Sequence, residues 1–285
     1  MGTALPEALL AYGLWGLAGT ALLLALFALA RGRVRIEAGW GGWTIRRFGS
    51  FERLVHWVLA LSFIVLALTG LGTFYGAHVL LPLPGAGAVA TLRPWSLLLH
   101  HHAALPFMAA LALGFLLWIR HSLPHWRDLV WLARGGGLLV PRWHPAAWKF
   151  NAGQKAFFWL MMIGGLSLSL TGLALAFPSG SALSSKSFAL LNSLGLQLST
   201  SLTPADQARL ALAWHVASAL LVTCLAIIHI YLRTYGIQGA APAMLSGQVD
   251  VNFAKQHHSL WAEREMKRME QDAADAVSAN MAAAE

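Results

Sequence analysis

Five long apolar runs, separated by shorter polar segments, dominate the chain. They cover about residues Leu5–Ala30, Leu54–Phe74, Leu97–Ile119, Lys155–Phe177 and Arg209–Tyr235. Each approaches or exceeds the roughly 20 residues a helix needs to cross the hydrocarbon core of a bilayer. The pattern predicts an all-α integral membrane protein of five spans. Gly, Pro and Ser collect around 75–96 and 178–208, which predicts connecting loops. From about Gly236 the chain becomes a separate polar segment. Its end, AEREMKRMEQDAADAVSANMAAAE, mixes both charge signs with helix formers and predicts a solvated helix.

Composition supports the membrane assignment. Only 11% of residues are charged and 57% are hydrophobic, against about 25% charged in a soluble domain. The tryptophans gather near the ends of the runs, as expected for side chains that favour the membrane interface. The net charge of +8 could indicate a nucleic-acid partner, but its distribution excludes that class. Of twenty Lys and Arg residues, only Arg93, Lys186 and Arg209 fall on one side of the predicted spans. That bias predicts a membrane protein with its N-terminus external and its C-terminus cytoplasmic. Residues 1–30 lack a basic leading region, and their apolar stretch exceeds the usual 7–15 or so residues of a signal peptide. They are therefore expected as a retained anchor helix. This gives three parts: an anchor over 1–35, a four-helix bundle over 45–240 and a cytoplasmic tail over 241–285.

Cys224 is the single cysteine and lies inside an apolar run. It excludes an intrachain disulfide, a C-x-x-C-H haem attachment and a cysteine-ligated iron–sulfur cluster within this chain. Histidine is the ligand type that remains. His56 opens the second span, His100, His101 and His102 open the third, and His215 and His229 share the fifth. Ionisable groups at membrane depth are costly and mark ion, proton or cofactor sites. Fourteen helical residues separate His215 from His229 by about 21 Å along the axis and only about 40° around it.

One face thus presents an imidazole near each side of the bilayer. Matching depths pairs His56 with His229 on the inner side and His100 with His215 on the outer side. Two bis-histidine pairs suit two b haems serving electron transfer, because no iron position is left open for oxygen. The competing explanation is a set of histidines bonded between helices or relaying protons. Zinc is disfavoured for want of three or four convergent ligands. His100 is preferred among the three adjacent histidines because the small Ala104 lies on its helix face. His78, His121, His125 and His144 are expected in loops or at interfaces. Arg53 and Arg120 are placed either to meet haem propionates or simply to snorkel. Thr69-Gly70 and Thr171-Gly172 recur near the external ends of the second and fourth spans, where small residues allow close packing.

Four segments in order, RFGSFERLVHW, KFNAGQKAFFWLMM, the fifth-span His-x13-His and SGQVDVNFAKQHHSLW, resemble the gamma subunit of respiratory formate dehydrogenases. The resemblance covers about residues 45 to 265. It implies a membrane cytochrome b subunit with two b haems in a four-helix bundle, plus one extra N-terminal helix here. His56 and His229 match the cytoplasmic-side ligands and His215 an external-side ligand. His100 takes the fourth role by its distance to the downstream HSLP stretch.

The resemblance further implies an iron–sulfur beta subunit and a molybdenum- or tungsten-containing catalytic alpha subunit as partners. It also implies a quinone site (menaquinone or ubiquinone) on the cytoplasmic side, lined by Asn151, Gly153 and Gln154. The residues themselves leave a second option for that segment, a helix N-terminus capped by Asn151. The competing functions are the cytochrome b subunit of a membrane-bound hydrogenase or related oxidoreductase and, from a different class, a proton-coupled transporter.

Overall fold

The computed structural model describes residues 7–75, 85–138, 140, 143–178 and 182–284. In chain order the elements are α1 (Glu7–Arg31), β1 (Thr44–Arg46), α2 (Ser50–Tyr75), α3 (Gly85–Ser122), α4 (Trp126–Ala133) and α5 (Ala152–Ala176). There follow α6 (Leu183–Ser193), α7 (Pro204–Tyr231), α8 (Pro242–Leu245), β2 (Gln248–Asp250), α9 (Val251–His257) and α10 (Ser259–Ala282). A π-type turn over Leu232–Gly236 continues α7.

Among the described residues, five helical segments are long and apolar enough to cross a membrane: Leu9–Arg31, Ser50–Tyr75, Thr91–Ser122, Ala152–Ala176 and Pro204–Gly236. They overlap the five predicted runs but extend past several of their ends. Hydropathy locates the hydrocarbon-soluble stretch, whereas the backbone ladder continues through polar residues such as Glu52 and Arg53. Part of the predicted loop around 178–208 is the helix α6. His78 lies outside the described residues.

The chain divides into two compact units, residues 1–24, 55–115 and 160–228 in the first and 25–54, 116–159 and 229–285 in the second. The first is made almost wholly of apolar helix. Tyr75, Val216 and Leu220 form a buried cluster, against which Leu9, Leu10 and Leu17 of α1 pack. The Tyr75 hydroxyl donates to the Leu10 carbonyl at 3.1 Å, which ties α1 to α2. Close helix approach depends on glycine: a Cβ on Gly164 would lie 2.4 Å from Val222 Cγ2. Large apolar side chains such as Leu68, Ile163 and Leu221 point outward. That surface would aggregate in water and is solvated by lipid in a bilayer.

The second unit has a core of a different kind. β1 and β2 pair antiparallel, with Ile45 opposite Val249, and a parallel bridge joins Val34 to Ile237. Asp250 then ends the strand and starts the next helix. Its Oδ1 accepts from the Asn252 and Phe253 N–H groups at 2.8 and 3.3 Å, and its Oδ2 accepts from Gly41 N–H at 2.8 Å. Gly247 permits the approach to β1: its φ is +83°, and a Cβ there would stand 2.5 Å from the Phe48 carbonyl oxygen.

Residues 248–265, expected as part of a separate polar segment, are built into this core. Val249, Ala254, His258 and Ala262 are all 0% exposed. Leu260 N–H donates to the Ala147 carbonyl, and His258 Nδ1 bonds the Trp148 carbonyl at 3.0 Å. Beyond Glu265 the helix α10 is exposed, as its mixed charges predict.

Burial, reinforced by His144, Arg233 and Arg47, pulls the His257 imidazole down to about 3. Burial and Arg47 hold His258 well below the usual histidine range. Below the ordinary value near 6.5 the unfolded chain binds protons that these folded imidazoles refuse. The segment is therefore expected to lose stability as pH falls from about 6.5 toward 3, by about 1.4 kcal/mol per pH unit for each imidazole kept neutral. Limited proteolysis of residues 248–262 at stepped pH checks this; equal protection at pH 6.5 and 4 would contradict it.

Candidate functional site

The external pair of the predicted histidines is assembled within the first unit. α2 and α5 each carry a Thr-Gly pair at the same place, Thr69 and Thr171 both being the twentieth residue of their helix. His100 of α3 seats on the first pair and His215 of α7 on the second. His100 Nδ1 lies 2.9 Å from Thr69 Oγ1, and His215 Nδ1 lies 2.9 Å from Thr171 Oγ1. A Cβ on Gly70 would stand 3.3 Å from His100 Cε1, and one on Gly172 would stand 3.4 Å from His215 Cε1. Glycine therefore leaves each ring edge the room it occupies. His101 and His102 are exposed, and His102 Nδ1 is 2.8 Å from its own helix carbonyl at Leu98.

The hydrogen bonds determine the tautomer. Each threonine hydroxyl has one proton and donates it back along its own helix: Thr69 to the Val65 carbonyl at 2.6 Å, and Thr171 to the Ser167 carbonyl at 2.7 Å. The same oxygen can then only accept from the imidazole, so Nδ1 carries the hydrogen and donates. Nε2 is left with its lone pair, the state a metal-ligating histidine requires. The two rings are 6.3 Å apart between centroids and inclined at 65°. A metal bonded to two imidazoles at about 2.0–2.1 Å each, with about 1.1 Å from nitrogen to ring centre, would set the centroids about 6.2–6.4 Å apart.

Among the described residues, no group of three or more His, Cys, Asp and Glu side chains is arranged to hold a bare metal ion. A two-imidazole donor set suits an ion that brings its remaining donors in a macrocycle, and haem is that ion. Haem therefore fits these residues. The two threonines and their glycines were visible in sequence as a repeated Thr-Gly pair, but only as packing positions.

The internal pair is distributed differently. His56 belongs to the first unit, on α2, with its ring edge-on to Trp57 at 5.4 Å. His229 belongs to the second, near the end of α7, stacked on Phe157 with centroids 4.2 Å apart and planes 11° apart. Also in the second unit, Asn151 and Gln154 form a reciprocal cap at the start of α5. Asn151 Oδ1 accepts from Gln154 N–H at 3.0 Å, and Gln154 Oε1 accepts from Asn151 N–H at 3.2 Å. Gly153 lets Trp131 approach, since a Cβ there would be 2.9 Å from Trp131 Cη2.

Beside this helix start is a cavity of about 470 Å³ lined by Trp126, Leu129, Ala152, Ala156 and Trp159. At its wall Lys155 meets Asp128 at 2.9 Å. Lys155 directly follows the NAGQ stretch, but Asp128 was not singled out by sequence. Its nearest sequence signal is the capping box it makes with His125.

Elsewhere in this unit, Arg53 donates to the Leu245 carbonyl at 2.6 Å, and Arg120 donates to His121 Nε2 at 3.2 Å. His144 lies 3.5 Å from Glu37 and edge-on to His257. His125 caps α4.

Comparison with known proteins gives these residues a context. The family model described as prokaryotic cytochrome b561 matches residues 47–247. The cytochrome b556(Fdn) subunit of nitrate-inducible formate dehydrogenase from Escherichia coli K12 is 26% identical over 225 residues, covering 77% of this chain and 90% of that protein. The formate dehydrogenase cytochrome b556(fdo) subunit of the same organism is 26% identical over 231 residues, covering 81% and 97%. A formate dehydrogenase cytochrome b556 subunit from Haemophilus influenzae is 25% identical over 225 residues, covering 77% and 83%.

The threonine contacts generate a direct test. Thr171→Val keeps the shape but removes the acceptor for His215 Nδ1–H. Loss of such a supporting bond is expected to weaken haem retention by about 10–100-fold. Pyridine haemochrome assay of the purified variant after gel filtration reads this. Haem content equal to wild type through repeated dilution would remove the threonine from the account.

Proposed function

Because the chain belongs to the prokaryotic cytochrome b561 family, we propose that it is the membrane cytochrome b subunit of a formate dehydrogenase complex, carrying electrons from an iron–sulfur partner subunit through two b haems to quinone. The observation that carries this reading is the His100–His215 pair, 6.3 Å apart and locked by two threonines in the ligating tautomer. The formate dehydrogenase assignment rests on the names of the relatives, together with the residues quoted above from the sequence. With two imidazoles bound, a b haem supplies a one-electron couple and no open coordination position.

The chain's own residues do the rest. His100 and His215 would hold the outer haem, and His56 and His229 the inner one. The outer pair has its orienting bonds to threonines on the neighbouring helices, so neither ring needs water to keep its tautomer. The Lys and Arg bias supports an N-terminus on the periplasmic side and a C-terminus on the cytoplasmic side of what would be a bacterial inner membrane. A molybdenum- or tungsten-containing catalytic subunit would oxidise formate, because this chain lacks cysteine ligands for clusters beyond the lone Cys224.

Quinone would bind at the start of α5. The Asn151 and Gln154 side-chain oxygens accept within the cap, which leaves their amide N–H groups as the donors suited to a quinone carbonyl. The adjoining apolar cavity offers space for the ring, with Ser122, His125, Asp128 and Lys155 among its polar lining residues. The first helix stands as an anchor that carries no histidine.

Two measurements test this. Dithionite-reduced minus oxidised spectra with pyridine haemochrome assay are expected to give two haems b per chain. His215→Ala is expected to leave one, and His101→Ala two. A wild-type protein without a haem b α-band would overturn the cytochrome function. For quinone, Gln154→Ala in the assembled complex is expected to slow quinone reduction by roughly tenfold or more, the effect of one charge-stabilising donor being about 1.5 kcal/mol. Both haems should remain. Unchanged quinone kinetics would remove the α5 site and leave the cytochrome assignment standing.

A further inference from the structure

The second unit contains a cavity of about 280 Å³ whose lining includes Arg46, Arg47, Arg120, Lys149, Arg264 and Arg268. These cations come from four separate stretches of chain, and two of them are delivered by α10. Two carboxylates are ion-paired to the group: Glu52 to Lys149 at 2.9 Å, and Glu265 to Arg268 at 2.7 Å. Four positive charges are therefore left over.

Ordinary interfacial cations reach out to water, and Arg47 does not. It is only 4% exposed, its Nη2 donates to the Lys149 carbonyl at 2.5 Å, and its Nε is buried with no partner among the described residues. Burial and the neighbouring Arg233 bring its guanidinium down to about 9, and burial likewise lowers Lys149. Concentrating like charges around an unpartnered buried donor is costly unless an anion joins them.

The position of the cavity indicates which anion. Phe48 and Gly49 immediately precede the span Ser50–Tyr75, Arg120 lies in the last turn of Thr91–Ser122, and Lys149 comes just before Ala152–Ala176. The lining segments thus sit at the ends of membrane spans, where phospholipid headgroups lie. Phe48 and Trp261 give the cavity an apolar wall. Its volume is just below the roughly 300–1,000 Å³ of small-molecule pockets, which is room for a headgroup and not for a whole lipid. We propose that this cavity binds the phosphate of an anionic phospholipid, phosphatidylglycerol or cardiolipin, clamped between the span ends and α10. Arginine forks match phosphate oxygens in pairs, and Trp261 and Phe48 cover the glycerol side. The bound lipid then pins the C-terminal helix to the membrane surface. This holds whichever electron donor the chain serves.

Native mass spectrometry of the full-length, haem-loaded chain tests the proposal, with phosphatidylglycerol, cardiolipin or phosphatidylcholine added to the detergent. Wild type is expected to retain one anionic lipid and to discriminate against phosphatidylcholine. Arg120→Gln/Arg264→Gln should weaken that retention by roughly ten- to thirtyfold. If the double variant fails to fold, the single Arg264→Gln change is read instead, since that side chain is 66% exposed. Equal retention of phosphatidylcholine, or variants that keep the anionic lipid, would overturn the proposal. Displacement of the lipid by millimolar inorganic phosphate would reassign the site to free phosphate. A loss of haem with lipid retention unchanged would reassign the cations to haem carboxylates.

Discussion

A polar hydrogen inside a bilayer has no water to turn to, and leaving it unpaired costs several kcal/mol. The histidine pair of the first unit is organised by that constraint. Each threonine first satisfies its own hydroxyl proton on the helix carbonyl four residues back. Only then is its oxygen available, as an acceptor alone, to the imidazole on the neighbouring helix. The tautomer of both rings is thus decided by backbone geometry two bonds away. The adjoining glycines let the helices come close enough for that bond to form.

The same constraint shapes the rest of the membrane part. Ser62, Thr73 and Ser169 also return their hydroxyl protons to carbonyls of their own helices. Helix contacts rely on glycine because lipid gives no hydrophobic reward for burying leucine. The second unit is held differently. There a short ribbon, a carboxylate cap and a buried aromatic core hold the segment after α7, and buried histidines and arginines are tolerated at the cost of depressed basicity. Charge that would be prohibitive in hydrocarbon accumulates here, and the excess of cations becomes a place for an anion.

Much of this was legible in the chain. The five spans follow from run length, because a hydrocarbon core of fixed thickness demands it. The pairing of His100 with His215 followed from helical spacing and depth, and Ala104 favoured the first histidine of the three. The structure brings His100 to His215 and leaves His101 and His102 exposed. Two things were not legible. Thr69 and Thr171 looked like packing residues, since nothing local says which ring a hydroxyl will meet on another helix. Residues 248–265 looked like polar tail, since their apolar positions are few and become a core only against Val34, Ile36 and Ile45, some two hundred residues earlier.

The sequence by itself determined the class and the number of spans, and it singled out the histidines proposed as ligands. Those depend on local quantities: the length of an apolar run, the pitch of a helix and the rarity of ionisable groups in lipid. Only the tertiary structure decided which imidazole nitrogen keeps its lone pair, that Asn151 and Gln154 cap each other, and that cations from four stretches of chain share one cavity. Each of these depends on where a second segment places a hydroxyl, an amide or a guanidinium. That placement is set by packing between elements distant in sequence, which no local pattern encodes.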